Sequence, residues 1–159
     1  MITLVISLHR LIFYSRNEEK FTSESMKAFV RGVLESCSKH DREGGLTGAL
    51  LFNEKYFVQV MEGAPTTLSA KLWELATDKR HSTMVIMGAG AVCRRAFLSW
   101  SVGYAGRSTE LDGLYMRYSP RPMLDPTVMT ADSALGLMED FMRAEVGQFV
   151  RHADARSQL

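Results

Sequence analysis

Residues 46–62 of the chain, LTGALLFNEKYFVQVME, contain two apolar runs on either side of the polar triplet NEK. The first run ends at Phe52, and the second begins at Tyr56 and is rich in aromatic and β-branched residues. Two short runs joined by a three-residue polar connection predict a β-hairpin. This hairpin supplies two adjacent strands of the predicted sheet.

Upstream of the hairpin, the chain predicts one strand and one long amphipathic helix. The stretch 4–15 lacks Gly and Pro and is rich in Leu, β-branched and aromatic residues, which is typical of a strand. Alternation along that strand places Phe13 and Tyr14 on opposite faces of the sheet. Thr22 offers an N-cap oxygen for the helix, which is expected to end before a loop over 41–45. Its apolar face comprises Met26, Phe29, Val30, Val33, Leu34 and Cys37.

Downstream of the hairpin, Pro65 suits the first turn of a second helix that ends near 78–81. Its apolar stripe comprises Leu68, Leu72, Leu75 and Ala76. Strands are predicted over 82–87 and 96–102. The resulting order, β-α-β-β-α-β with a fifth strand, indicates an α+β, ferredoxin-like fold whose antiparallel-rich sheet carries both helices on one face.

The C-terminal part of the chain predicts a cover for the other face of the sheet. A Pro-punctuated stretch over 119–126 leads into a helix. The apolar residues of this helix at 3-and-4 spacing are Leu135, Met138, Met142, Val146 and Phe149. We expect this helix to pack on the exposed sheet face or against a partner chain.

Composition describes an ordinary globular chain of 159 residues with a formal net charge of +1 and 46% hydrophobic residues. Near-neutral charge argues against nucleic-acid binding, which calls for a concentrated excess of Lys and Arg. Two cysteines, Cys37 and Cys93, form neither a disulfide framework nor a C-x-x-C pair, and this favours a reducing, cytoplasmic setting. The apolar N-terminus lacks the basic region and length of a signal peptide or membrane span, so no membrane association is expected.

Polar residues occur at three places that the predicted topology brings close together. His40 and Asp41 stand at the end of the first helix, Gln59 in the middle of an apolar strand, and Arg80 and His81 at the end of the second helix. Two interpretations stay open: capping of the helices and a hydrogen-bond network in the core, or contact with a ligand. The C-terminal ends of the two helices lie side by side over the sheet, and they frame a slot above Gln59.

Five segments carry a resemblance to a known family. In order along the chain, they are LHRLIFYSR (8–16), GLTGAL (45–50), FVQVMEG (57–63), DKRH (78–81) and RRAFLSW (94–100). They resemble the successive signature blocks of the BLUF family, the sensors of blue light using FAD, from about Leu8 to Tyr104. The resemblance implies a BLUF-like flavin-binding domain over 1–106, a helical C-terminal extension over 107–152 and a flexible tail over 153–159.

The resemblance also implies a binding site for a flavin ring between the two helices. FAD is the expected cofactor, with FMN or riboflavin as alternatives, since the family mostly contacts the ring. The implied flavin contacts are Cys37, His40, Asp41, Gln59, Asp78, Arg80 and His81. A flavin edge carries carbonyl acceptors and a ring N–H, which suits the mixed donors and acceptors of Gln, His and Arg in an apolar slot.

The sequence departs from the family at the residue that drives its photochemistry. In the family, a Tyr in the motif Tyr-x-Ser of the first strand passes an electron and a proton to the excited flavin, and the neighbouring Gln rearranges. Here Phe13 occupies that position, and a phenyl ring has no O–H to donate. We therefore expect the usual Tyr–Gln switch to be disabled or altered, unless a bulge in the strand turns Tyr14 to the flavin side.

Two other positions of the pattern also differ. Asp41 stands where the family usually has Asn, and an ionised carboxylate accepts hydrogen bonds but does not donate them. Trp100 retains the last-strand Trp of the family, whereas Val102 replaces the residue that is often Met. Trp100 can still pass an electron to excited flavin, so transient quenching or slow photoreduction is expected in place of a lasting red shift.

The extension resembles that of short BLUF proteins, which carry no enzymatic domain and signal by changing contacts with other proteins. We therefore expect a non-enzymatic sensor that acts on an unidentified downstream protein. Apolar residues on an uncovered sheet face and on the C-terminal helix also predict a homo-oligomer, a dimer or larger. One alternative keeps the fold as a scaffold for dimerisation that has lost its flavin. Another, acylphosphatase-like hydrolysis, is disfavoured because the carboxylates of Glu18 and Glu19 would repel a phosphate in the loop after the first strand.

Overall fold

The predicted hairpin lies inside a six-stranded sheet. The computed structural model describes residues 7–144 and 149–153, with only the backbone for residues 38 and 40–44. The strands are β1 (His9–Asn17), β2 (Thr47–Phe52), β3 (Tyr56–Gly63), β4 (His81–Ala91), β5 (Trp100–Tyr104) and β6 (Phe149–His152), in the order β4-β1-β3-β2-β5-β6. The α-helices of these residues are α1 (Ser23–Gly44), α2 (Pro65–Ala76), α3 (Thr109–Tyr118) and α4 (Ala131–Arg143).

The connection between β2 and β3 is closed by the side chain of Asn53. Its Oδ1 accepts hydrogen bonds from the backbone N–H groups of Lys55 and Tyr56 at 2.9 and 2.8 Å. Its amide nitrogen donates to the carbonyl of Leu124 at 2.8 Å. A single Asn thus satisfies the donors of the turn and ties the hairpin to the C-terminal region.

The ferredoxin-like prediction is confirmed. The first four strands and two helices follow one another as β1-α1-β2-β3-α2-β4, with β5 added beside β2 in parallel orientation. Leu11, Phe13 and Trp100 pack against residues of α1 and α2 such as Cys37 and Leu68. Both of these helices therefore cover one face of the sheet.

The C-terminal helices cover the opposite face of the sheet, as predicted. Ile12 and Val60, on the alternate positions of β1 and β3, share a buried cluster with Tyr115 of α3 and Met138 and Phe141 of α4. The other described sheet and helix members of this cluster include Ala49, Leu51, Val58, Leu111, Leu137 and Met142. Met138 and Met142 are thus core residues and not a contact surface for another protein, and the bare sheet face that suggested an oligomer is covered.

Helix α1 runs further than the sequence predicted. The expected loop over 41–45 is helical up to Gly44, and Gly45 then adopts a positive φ of 66°. A glycine in the left-handed region just after the last helical residue is a common way to end a helix, because it has no Cβ to clash. The helix therefore ends at the pair of glycines and not at the polar residues before them.

The strand predicted over 96–102 begins at Trp100, because a buried carboxylate binds the backbone N–H groups before it. The Glu62 side chain is fully buried and accepts hydrogen bonds from the N–H groups of Ala96 and Phe97 at 2.9 Å and from Arg10 Nε at 2.7 Å. Backbone groups bound to a side chain are not available to a β-ladder. Glu62 thereby fixes the loop that leads into β5.

The predicted C-terminal helix is wrong beyond Arg143. Helix α4 ends there, and Phe149 lies in β6, which pairs antiparallel with β5 along Ser101–Tyr104. The Ser101 hydroxyl and His152 Nδ1 are 2.6 Å apart, and the N–H of Ala153 donates to the carbonyl of Trp100. Without β6, the outer edge of β5 would have backbone N–H and C=O groups without partners in the sheet. Pairing with β6 satisfies them, whereas a longer helix α4 would leave that edge open. Val146 and residues 154–159 lie outside the described residues.

Candidate functional site

A cleft between α1 and α2 above the sheet has a cavity volume of about 100 Å³ and opens to solvent. Its floor is formed by side chains of β1, β2 and β3, and its walls by the two helices and the start of β4. The lining residues are Phe13, Ser15, Phe29, Gly32, Val33, Ser36, Cys37, Leu50, Phe57, Gln59, Lys71, Leu75, Asp78, Arg80 and His81. Seven of these fifteen residues have polar or charged side chains, and the other eight are apolar or glycine.

The register of the sheet places Phe13 directly beside Gln59. β1 and β3 pair without a shift from His9 to Arg16, and Phe13 lies opposite Gln59 in this ladder. The irregularities of the β1–β4 pairing leave this alternation unchanged, and Tyr14 packs against the cluster under α3 and α4. The bulge that would have turned Tyr14 toward the cleft is therefore absent from β1. Phe13 is 1% exposed and lines the cleft.

The side-chain amide of Gln59 makes no hydrogen bond to a described residue, and its N and O atoms are not sealed from solvent. Only 7% of the residue is exposed, and it lines the cleft. The amide therefore has donor and acceptor capacity available to a molecule in the cleft.

His81 is held in one orientation by two hydrogen bonds. Its Nε2 lies 2.6 Å from the carbonyl oxygen of Leu75, and its Nδ1 lies 2.7 Å from Ser15 Oγ. A carbonyl only accepts, so Nε2 carries the proton and donates. In the neutral ring, Nδ1 then accepts from the hydroxyl of Ser15. The ring edge also packs against Phe57, with centroids 6.2 Å apart. His81 therefore joins β1, α2 and β4 at the rim of the cleft.

Asp78 and Arg80 form a forked ion pair beside His81. The guanidinium donates from Nη2 to Asp78 Oδ2 at 2.6 Å and from Nε to Oδ1 at 3.0 Å. These bonds hold the pKa of Asp78 below its ordinary value, against the opposing effect of partial burial. The guanidinium carbon also lies 5.4 Å from the centroid of the Phe29 ring on α1. The pair thus fixes Arg80 across the mouth of the cleft.

We expect the Asp78–Arg80 pair to stabilise the fold above about pH 4 and to lose this effect in acid. A carboxyl whose folded pKa lies below its unfolded value of ~3.9 adds stability above that value, and the contribution disappears as the pH falls through the folded pKa. Asp78→Asn should therefore lower the free energy of unfolding at pH 7 by up to about 1 kcal/mol, because the pair is partly exposed. Urea unfolding of both proteins from pH 7 to pH 3 measures this, and a difference as large at pH 3 as at pH 7 would contradict it.

Cys37 and Lys71 face the cleft from opposite helices. Burial raises the pKa of the Cys37 thiol to about 12, although the charge of Lys71 acts in the other direction. Cys37 is therefore a neutral, apolar wall residue at physiological pH. Lys71 is 6% exposed, and its Nζ lies 3.2 Å from Glu74 Oε1 one turn further along α2.

The structure brings most of the sequence-predicted site residues to this cleft. Those that line it are Phe13, Cys37, Gln59, Asp78, Arg80 and His81. The side chains of His40 and Asp41 lie outside the described residues. Trp100 and Val102 are fully buried near the cleft without lining it, and Trp100 Nε1 donates to the carbonyl of Leu46 at 2.8 Å.

Sequence reasoning missed three polar residues of the cleft, Ser15, Ser36 and Lys71. Lys71 lies on the apolar stripe of α2, three residues after Leu68 and four before Leu75, so helical spacing alone would have found it. Ser15 follows Phe13 by two residues, and strand alternation places both on the same face. In the described ranges, no group of His, Cys, Asp and Glu side chains is arranged to hold a metal ion.

Comparison with known families gives one match. The family model of BLUF, described as sensors of blue-light using FAD, matches residues 8–103 of this chain. These residues contain β1 to β5, α1, α2 and the whole lining of the cleft. The match covers the part of the chain that builds the site and stops before α3.

Curated relatives and solved structures agree with this match. Photoactivated adenylate cyclase subunits beta from Euglena longa and Euglena gracilis are 24% identical over 94 residues, which are 59% of this chain and 11% of theirs. The chain thus spans about a tenth of those relatives. BlsA in its photo-activated state has a TM-score of 0.71 at 19% identity, covering 89% of this chain and 99% of that one. BlrB, a BLUF protein in its dark state, has a TM-score of 0.57 at 24% identity, covering 70% and 80%.

Proposed function

Because this chain belongs to the BLUF family of sensors of blue light using FAD, we propose that it is a flavin-binding regulatory protein whose Tyr–Gln light switch is disabled. The main support for this proposal is the register between β1 and β3. Phe13 stands beside Gln59 on the cleft floor, and the adjacent phenol of Tyr14 is on the other face. The cleft thus retains the amide of the switch and lacks the hydroxyl that would drive it.

The residues of the cleft fit a flavin ring. Phe29, Val33 and Leu75 offer apolar walls, and the unpartnered amide of Gln59 offers both donors and an acceptor at the floor. Arg80 adds guanidinium donors at the mouth. We propose that Gln59, Arg80 and His81 make the polar contacts and Cys37 a wall contact, with His40, Asp41 and Asp78 completing the site as the resemblance implies. When bound, the flavin supplies absorption of blue light and a centre that accepts electrons.

Without a phenol beside Gln59, excitation of the flavin has no proton donor on β1. A phenyl ring can neither donate a proton nor hold the amide in one orientation. Trp100, fully buried in the cluster that includes Phe13, remains a nearby electron donor. Blue light should therefore cause transient quenching or slow photoreduction, and no lasting rearrangement of Gln59.

We further propose that the protein acts in the cytoplasm through contacts with other proteins and has no catalytic activity of its own. Trp73 and Leu98 are 76% and 85% exposed, and large exposed apolar side chains are common in contact surfaces. Self-association as a dimer or larger oligomer would use such residues, since the sheet face is covered. None of the helices in residues 7–144 has the length and apolar character needed to cross a membrane.

Titration of the flavin-free protein with FAD, FMN and riboflavin tests the proposed site. We expect all three to bind, because the contacts proposed here are to the ring, and the bound flavin to show a structured absorption band and quenched fluorescence. Gln59→Leu should weaken binding about tenfold, the equivalent of one hydrogen bond to a buried amide, ~1.4 kcal/mol. Tyr14→Phe, on the opposite face, is the matched control and should bind like the unmodified protein.

The same titration decides between this function and a scaffold that has lost its cofactor. A scaffold of this kind is consistent with Phe13 and Asp41, which stand where the family has Tyr and usually Asn. Such a scaffold would bind none of the three flavins at micromolar concentrations. Equal binding by Gln59→Leu and the unmodified protein would instead place the flavin outside the cleft floor.

A further inference from the structure

Lys71 brings a positive charge into the cleft that the family resemblance does not account for. The residue is 6% exposed and lines the cleft together with Gln59 and Cys37. It lies on the same helical stripe of α2 as Leu68 and Leu75, at a position where the pattern calls for an apolar side chain. A buried lysine is costly unless its charge is balanced, so its position requires an explanation.

The ion pair with Glu74 does not explain why Lys71 is buried. The contact is an i,i+3 pair on α2, and the Glu74 side chain is largely exposed. An exposed lysine would make the same pair, which contributes little to stability in water. An ammonium has three N–H donors, and among the described residues Lys71 uses one of them, toward Glu74.

The other titratable groups that line the cleft already have partners or are neutral. Asp78 and Arg80 form a forked pair at the mouth, and His81 is bonded to Ser15 and Leu75. The Cys37 thiol is neutral because burial raises its pKa. Lys71 is therefore the described cation that faces the interior of the cleft with donors available to a bound molecule.

We propose that Lys71 stabilises the reduced, anionic form of the flavin and so raises the reduction potential of the bound cofactor. Oxidised flavin takes up two electrons and one proton to give the reduced anion, so the ring gains one negative charge. An ammonium in the same desolvated cleft favours the negatively charged form over the neutral one. Lys71 is neither consumed nor deprotonated, and the electrons come from an external reductant.

This inference rests on the proposed flavin site and deepens it. The cleft lacks a proton donor on β1 but contains a cation on α2. It is therefore better suited to hold reduced flavin than to rearrange a hydrogen bond in light. The protein would respond to the redox state of its flavin, which dithionite or xanthine oxidase can set in the laboratory.

The reduction potential of bound FAD tests the proposal with the unmodified protein. We expect reduced FAD to bind at least tenfold more tightly than oxidised FAD, which corresponds to a potential about 30 mV above that of free FAD for a two-electron couple. The measurement is an equilibrium titration with xanthine oxidase and a reference dye. A bound potential equal to or below that of free FAD overturns the role of Lys71.

Substitution of Lys71 tests whether its ammonium charge raises the reduction potential of the bound FAD. Lys71→Met keeps the length of the side chain and removes the ammonium, and it should lower the potential of bound FAD by about 30 mV or more. Lys79→Met removes an exposed lysine that does not line the cleft, and it should leave the potential unchanged. If FAD has the same reduction potential in the Lys71→Met and unmodified proteins, this inference is wrong, but the proposed flavin site is not affected. If the unmodified protein binds no flavin, both fail.

Discussion

Illumination of FAD-loaded Phe13→Tyr protein with blue light is expected to give a red shift of the flavin absorption that persists in the dark before it decays. The unmodified protein is expected to show no such shift. The substitution adds one hydroxyl to a ring that is already buried on the cleft floor, directly opposite Gln59 in the sheet. A phenol there can donate to the amide and supply the proton that the phenyl ring lacks.

The matched control is Tyr14→Phe, which removes a phenol from the adjacent position on the opposite face. We expect it to leave the light response of both the unmodified and the Phe13→Tyr proteins unchanged, because Tyr14 packs under α3 and α4. The measurement is a light-minus-dark difference spectrum of each protein. A Phe13→Tyr protein that binds FAD and gives no lasting shift would show that the missing hydroxyl is not the reason for the disabled switch.

Glu62→Ala is expected to lower the free energy of unfolding by roughly 3–5 kcal/mol, the usual cost of removing one partner of a buried ion pair. The carboxylate is fully buried and accepts from Arg10 and from the N–H groups of Ala96 and Phe97. Its loss leaves these donors without their acceptor and releases the loop that precedes Trp100. Urea unfolding monitored by the fluorescence of tryptophan measures the effect.

An exposed carboxylate provides the comparison for Glu62. Glu35 lies on the outer face of α1, and its replacement by alanine should change the free energy of unfolding by less than about 0.5 kcal/mol. A Glu62→Ala protein as stable as the Glu35→Ala protein would contradict the role assigned to the buried carboxylate. Glu62→Gln, which keeps one acceptor oxygen, should fall between the two.

Much of the fold and part of the candidate site could be predicted from local sequence patterns. The hairpin over 46–62 and the alternation of Phe13 and Tyr14 depend on neighbours in sequence, so they were predictable. The predicted topology likewise placed a slot between the two helices above Gln59, and Gln59 lines a cleft between α1 and α2. These are the features that the structure reproduces.

The features that could not be predicted depend on contacts between distant segments. The start of β5 is set by Glu62, which lies more than thirty residues earlier in the chain. The strand at Phe149 forms because β5 offers an open edge, whereas its own sequence continues the helical pattern of α4. Lys71, in contrast, could have been predicted from helical spacing, and it was missed because a lysine is usually treated as a surface residue.

The most direct test of the central claim is the light-minus-dark absorption spectrum of the unmodified protein after loading with FAD. We predict a flavin spectrum in the dark and, after blue light, either no change or a slow bleaching by photoreduction. A full, slowly reversing red shift in the unmodified protein would contradict the claim, because it would show that a group other than the residue at position 13 drives the rearrangement of Gln59.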